Sequence, residues 1–218
     1  MIDRLIIPIL NSKNETITNA RNILSMAHNK NIDIIIHSTG SNINNIYEFM
    51  EELIEYRINY TSKRIRAYVP VNALGYACLL CLVADEYYAS PNAIFSPFNI
   101  KIKTNILELT CRDIEYYLTM PVTGSLLEKL INCKNIIDYY YPRFELIIKL
   151  HSKYGIKSNN ILKYLFYNPS QKLSSIETLL TGSNEKITVN DMINIGAGPV
   201  DNIPEYIGEY ISKSIYNT

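Results

Sequence analysis

Residues 32–41 read Ile-Asp-Ile-Ile-Ile-His-Ser-Thr-Gly-Ser, and this stretch decides the fold of the chain. A short apolar run that ends in serine, threonine and glycine is typical of a buried strand followed by a loop. We therefore predict a buried strand over residues 33–37. The polar loop after it begins at Ser38 and includes Gly40 and Ser41.

Strands and helices alternate on both sides of this stretch. Apolar residues at helical spacing follow an apolar run at residues 5–10, and the same order recurs after residues 33–37 and 64–69. This alternation predicts an α/β fold of βαβ units with a mainly parallel sheet. The signal then becomes helical, with breaks near residues 121–124 and 154–155. The predicted helices cover residues 16–29, 46–54 and 73–84, a helical half over residues 106–165, and segments over 188–195 and 203–215.

Composition bounds the class of protein. The chain has 218 residues, of which 47% are hydrophobic, so it is long enough to bury a substantial core, and we expect a single domain over residues 1–218. Lysine plus arginine and aspartate plus glutamate each number 21, so no global positive field attracts nucleic acid. The sequence contains no apolar run of about 18 residues, so we expect no membrane partner and a cytoplasmic protein.

Four cysteines raise the question of a metal site. Cys78 and Cys81 form a C-x-x-C pair, but they lie in an apolar run over residues 77–83 that is typical of a buried helix. No second pair or histidine cluster follows at zinc spacing. We therefore predict two buried small hydrophobic side chains, and we expect neither a metal nor a cofactor.

Three segments together carry a resemblance to a known family. Residues 32–41 resemble the strand and loop of the serine dehydrogenase proteinase group, and residues 69–97 resemble its nucleophile helix and following strand. The pieces at residues 179–182, 187–189 and 198–200 resemble its C-terminal segment. This family is related to signal peptide peptidase A and more distantly to Clp protease and the crotonases. The resemblance implies a Clp/crotonase-like spiral of βαβ units.

The resemblance also implies a peptidase site without its nucleophile. In the family, a serine at the start of a buried helix attacks the peptide bond, and Gly75 stands at that position here. Glycine has no side chain, so an acyl-enzyme cannot form there. Backbone N–H groups of Tyr76 and of Gly40 or Ser41 are implied to form an oxyanion pocket, which needs no side chain. At residues 96–100 the chain has Ser-Pro-Phe-Asn-Ile where the family has Gly-Pro-hydrophobic-Asp-Pro.

Other side chains are candidates for the missing chemistry. Lys149 falls near a family lysine and is the candidate base, with Lys134 as second choice, although a lysine on an amphipathic helix is usually solvated. Cys78 is the alternative nucleophile because it lies one helical turn after Gly75. His37 ends the predicted strand, where a polar side chain that caps the strand is the more common arrangement.

Three functions stay open at this point. The first is a pseudopeptidase that binds polypeptide or assembles into a ring, and the second is a hydrolase that uses Cys78 or an unrecognised nucleophile. The third is a crotonase-like protein that binds acyl-CoA. Peptidases of this fold work as rings, so we expect a homo-oligomer or a mixed ring with a paralogue. Tyrosine-rich stretches at residues 116–117 and 139–141 are predicted to supply contact surface.

Overall fold

A computed structural model describes residues 4–10, 14–38, 42–96, 111–167 and 186–215 of the chain. Its strands and helices alternate through the first hundred residues, as predicted. The strands are β1 (Arg4–Ile9), β2 (Asn31–Ile36), β3 (Ile65–Val69), β4 (Asn72–Ala73), β5 (Glu86–Ala89), β6 (Ile94–Phe95) and β7 (Ile187–Thr188). The α-helices are α1 (Asn14–Ser25), α2 (Ile43–Asn59), α3 (Leu79–Val83), α4 (Cys111–Leu118), α5 (Gly124–His151), α6 (Ser158–Tyr167), α7 (Val189–Asn194) and α8 (Glu205–Ile215).

Two sheets organise the strands. The larger sheet has the order β1-β2-β3-β5, and all its neighbours pair in parallel. In the smaller sheet β4 pairs with β6 in parallel and β6 pairs with β7 antiparallel. Parallel pairing requires a crossover between consecutive strands, which α1 and α2 supply in the larger sheet. The predicted α/β fold with a mainly parallel sheet and a helical C-terminal half is confirmed.

The main core lies on one face of the larger sheet. Ile32, Ile34 and Ile36 of β2 point into this core because side chains alternate along a strand. Helix α3 is its centre, since every residue from Leu79 to Leu82 has no exposed surface. A helix that is apolar all round is buried on all sides, which explains the continuous apolar run of the sequence there.

The prediction of a helix over residues 73–84 is wrong for the first part of this range. Asn72 and Ala73 form a strand, and residues Gly75–Cys78 form a 3₁₀ helix before α3 begins at Leu79. The hydrogen bonds of the smaller sheet decide this segment, because Ala73 pairs with Phe95 of β6. A strand pairing distant in sequence overrides the helical spacing of the apolar residues.

Helix α8 covers the other face of the larger sheet. A small apolar cluster joins the two, and its fully buried members include Ile35 of β2 and Ile207 of α8. Beside this cluster the phenol oxygens of Tyr68 and Tyr206 lie 2.9 Å apart, and the Tyr68 hydroxyl donates to Asp33 at 3.2 Å. The terminal helix is therefore held by both apolar and polar contacts.

Asp33 is the buried acidic residue in this arrangement. Its side chain has no exposed surface, and its carboxylate lies 3.5 Å from the Arg4 guanidinium and 3.9 Å from that of Arg66. Burial raises the pKa of Asp33, against the opposing effect of the two guanidinium groups. The protonated carboxyl is thus favoured relative to a solvated aspartate.

Candidate active site

Gly75 begins the 3₁₀ helix that leads into α3. Its φ is +58°, which lies in the left-handed region that favours glycine. The residue before it, Leu74, is extended with φ −89° and ψ 149°, so the chain turns sharply between the two. A side chain at position 75 would therefore be strained by the backbone itself.

The amide of Gly75 has a side-chain partner that sequence reasoning does not identify as a site residue. Its N–H donates to the Ser96 hydroxyl oxygen at 2.7 Å. Pairing of Ala73 with Phe95 brings the two residues together, because Ser96 directly follows Phe95 and Gly75 lies two residues after Ala73. The sequence carries one signal for this contact, the serine before Pro97, where the family that the sequence resembles has glycine. Ser96 thus places a half-buried hydroxyl beside the predicted nucleophile position.

Backbone hydrogen bonds join this segment to the loop after β2. The Ser38 N–H donates to the Asn72 carbonyl at 3.2 Å, and the Leu74 N–H donates to the Ser38 carbonyl at 2.9 Å. Gly40 and Ser41, predicted to supply the second half of the oxyanion pocket, lie outside the described residues. That part of the pocket stays a prediction.

Tyr76 lies in the first turn of the 3₁₀ helix, directly after Gly75. Its side chain is only 7% exposed. Burial raises the pKa of the Tyr76 phenol, and the neighbouring thiols of Cys111 and Cys133 add to the shift. The ring is therefore a packed, neutral group, and a catalytic contribution from this residue would come from its backbone.

Cys78 is placed poorly for nucleophilic attack. The residue has no exposed surface, and its side chain belongs to the main core. Burial raises the pKa of the Cys78 thiol well above its ordinary value, and the nearby thiol of Cys81 raises it further. A buried neutral thiol is a weak nucleophile, because the thiolate is the reactive form.

The described residues contain no group of three or more potential ligands that would hold a metal ion.

The structure does not bring Lys149 to Gly75. Lys149 is exposed in the last turn of α5. The Arg57 guanidinium donates to the carbonyls of His151 and Val83, so this end of α5 lies at the end of α3. Gly75 lies at the opposite end of the same helical segment.

Lys134, the second choice for a base, forms ion pairs with two carboxylates. Its ammonium lies 2.5 Å from Asp138 and 3.7 Å from Glu115. The hydrogen bond to Asp138 is the main reason that the pKa of Lys134 is raised. A lysine held protonated in this way does not accept a proton from a nucleophile.

Two surface grooves of the described part lie away from the site. One has a volume of about 450 Å³ and lies between α1 and α2, and the other has about 700 Å³ and is lined from α4, α6 and α7. None of the predicted site residues lines either groove.

Among the described residues, no helix has the length and apolar character that crossing a membrane requires.

Comparison with known proteins shows the fold. No protein-family model and no curated protein matches the sequence. The structure is similar to that of a lysine-to-alanine mutant of the 1510-N membrane-bound stomatin-specific protease, solved in complex with a substrate peptide. The two sequences are 12% identical, the TM-score is 0.54, and the match covers 97% of this chain and 79% of that chain. It is also similar to the ClpP protease catalytic domain from Plasmodium falciparum, with 12% identity, a TM-score of 0.51, and coverage of 91% and 84%. The chain therefore has a Clp-protease-like fold.

Proposed function

We propose that this chain is a Clp-fold peptidase homologue that binds polypeptide and does not hydrolyse it. The observation that carries the proposal is Gly75 at the start of the 3₁₀ helix. The family that the sequence resembles has its attacking serine at this position. The left-handed φ of Gly75 adds a second reason, since this backbone suits a residue without a side chain. The two other candidate groups, Cys78 and Lys149, are respectively buried and distant.

Polypeptide is the proposed ligand because a site of this kind binds a peptide carbonyl through backbone groups, which need no side chain. The amide of Tyr76 and the loop of Gly40 and Ser41 are proposed to bind a peptide carbonyl. One of the two similar structures is a protease in complex with a substrate peptide, which supports this class of ligand. Hydrogen bonds to a ground-state carbonyl would hold a peptide without lowering the barrier to its cleavage.

Assembly into a homo-oligomer or a mixed ring with a paralogue is the second part of the proposal. Helix α5 exposes Tyr139, Leu146 and Leu150 by 50%, 55% and 65%. Their spacing of seven and four residues puts them on one face of the helix. An exposed apolar face of this kind favours a contact with another chain. Of the tyrosines predicted to make contacts, Tyr116 and Tyr139 are exposed, whereas Tyr117, Tyr140 and Tyr141 pack partly against the core.

The first test is cleavage of casein by the purified chain beside Gly75→Ser, with fluorophosphonate labelling of both. We expect no cleavage and no labelling of the wild type. Labelling of Gly75→Ser would show that the site still activates a serine placed at that position. The variant carries the strain of a side chain at φ +58°, so both proteins are compared well below their unfolding temperatures. Cleavage by the wild type would contradict the proposal.

A second candidate function is a hydrolase whose nucleophile is Ser96. The favouring observation is the 2.7 Å contact between the Ser96 hydroxyl oxygen and the Gly75 amide, which places a hydroxyl at the predicted nucleophile position. Labelling of Ser96→Ala separates the two candidates. If the wild type is labelled and Ser96→Ala is not, the chain is an active hydrolase with a relocated nucleophile.

A further inference from the structure

Two buried polar atoms beside the candidate site lack a hydrogen-bond partner within the described ranges. They are Nδ1 of His37, directly after β2, and Oδ1 of Asn72, in β4. Each atom is buried although its residue retains some exposure at the surface. Buried polar groups in folded proteins almost always have a partner, so each of these two atoms needs a partner that the described residues do not supply.

The backbone places these two side chains next to each other. Ser38 and Ala73 form a parallel bridge, which puts His37 opposite Asn72 on the adjacent segment. Adjacent segments in such a ladder lie about 4.8 Å apart. Ser38 and Ala73 are both fully buried, so their neighbours His37 and Asn72 point to the opposite face, where they share one row.

Ser96 lies on the same face of the smaller sheet. Ile94 pairs with Asn72, and Ser96 follows Ile94 by two residues, which returns its side chain to that face. Its hydroxyl oxygen accepts the Gly75 N–H, as described above. The row of His37 and Asn72 is thus continuous with the polar surface at the nucleophile position.

We infer that His37 and Asn72 bind a backbone amide of a polypeptide held at the Gly75 end of the site. The amide oxygen of asparagine only accepts hydrogen bonds, so its missing partner must be a donor, and a peptide N–H is such a donor. Nδ1 of His37 accepts or donates according to its tautomer, and it therefore suits either group of a peptide unit. The inference rests on the proposed function, since it names residues that recognise the proposed ligand.

The distance to Gly75 fits an extended chain. Asn72 precedes Gly75 by three residues, and a bound strand advances about 3.3 Å per residue. A peptide whose carbonyl meets the amide after Gly75 would therefore present an N–H near Asn72 within two or three residues. The pair then contributes to affinity and has no part in bond cleavage.

Binding of fluorescein-labelled casein, followed by fluorescence anisotropy, tests this inference. Asn72→Leu and His37→Leu each remove one unpaired atom, Asn72→Asp keeps an acceptor, and Asn19→Leu at an exposed position of α1 is the matched control. We expect the affinity to fall roughly three- to tenfold in the first two variants and to stay unchanged in the control. Asn72→Asp is expected to bind more tightly than Asn72→Leu.

Thermal unfolding of the same variants separates a ligand site from a structural one. An acceptor without a partner contributes no stability, so Asn72→Leu should unfold at or above the wild-type temperature. A lower unfolding temperature with unchanged casein affinity would mean that the pair holds a structural water, and would overturn the inference. Casein binding by the wild type that both leucine variants retain would overturn it while leaving the proposed function intact. No binding by the wild type would overturn both.

A second readout follows His37 itself. The chain contains only three histidines, so ¹⁵N-histidine labelling yields a simple spectrum in which His37→Leu identifies the His37 signals. Addition of casein should shift the His37 Nδ1 resonance and leave those of His28 and His151 in place. An unchanged His37 signal in the presence of bound casein would overturn the inference.

Discussion

Replacement of Gly75 by alanine tests the backbone strain at the predicted nucleophile position. Because φ is +58°, a Cβ there costs about 1 kcal/mol of the free energy of unfolding. For a chain of this size, a loss of about 1 kcal/mol lowers the unfolding temperature by roughly 2–4 °C. Gly75→Ser should lose a similar amount, so a gain of labelling in that variant would come with a measurable loss of stability.

Two other glycines calibrate the measurement, which is urea and thermal unfolding of each variant. Gly124 has φ +68° and open space where a Cβ would lie, so Gly124→Ala reports the cost of φ alone, again about 1 kcal/mol. Gly208 lies inside α8 with open space, and Gly208→Ala should stabilise the chain by roughly 0.5–1 kcal/mol. If Gly75→Ala is as stable as the wild type while Gly124→Ala is destabilised, the argument from the left-handed backbone is refuted.

Three further predictions concern the rest of the molecule. In the native chain Ellman's reagent should react with Cys133 at most, because the other three thiols are buried, whereas all four thiols should react in urea. Fast reaction of more than one thiol in the native chain would contradict this prediction. Burial raises the folded-state pKa of Asp33. The stability of the wild type relative to Asp33→Asn should therefore be greatest below the ordinary aspartate pKa of about 4, and it should decrease as pH rises through the folded-state pKa. Urea unfolding of both proteins at several pH values measures this difference. Thr188→Ala removes the capping box with Asp191 at the start of α7 and should cost about 1 kcal/mol in the same assay.

Local patterns are sufficient to predict most elements. The isoleucine run of β2 and the helical spacing after it predict structure correctly because burial on both faces of a parallel strand leaves a continuous apolar signal. The last helix is predicted from residue 203 onward, and α8 begins at Glu205, directly after Pro204, since proline is favoured where no amide donor is needed. These features depend on residues close together in the chain.

The candidate site is predictable in part. The resemblance identifies Gly75, and the structure places this residue at the start of a helical segment. Sequence reasoning misses Ser96 because its contact depends on the pairing of β4 with β6, and no local pattern encodes that pairing. The helical spacing of residues 73–84 conceals the short strand for the same reason.

The sequence by itself determined the class of the fold, the buried character of α3 and the absence of a side chain at position 75. Tertiary structure alone decided which groups meet there. It placed the Ser96 hydroxyl on the Gly75 amide, set His37 beside Asn72, buried Cys78 and left Lys149 at the far end of the helical segment. The physical reason is that apolar periodicity reports how much of each element is buried, whereas the chemistry of a site depends on contacts between strands and helices far apart in the chain.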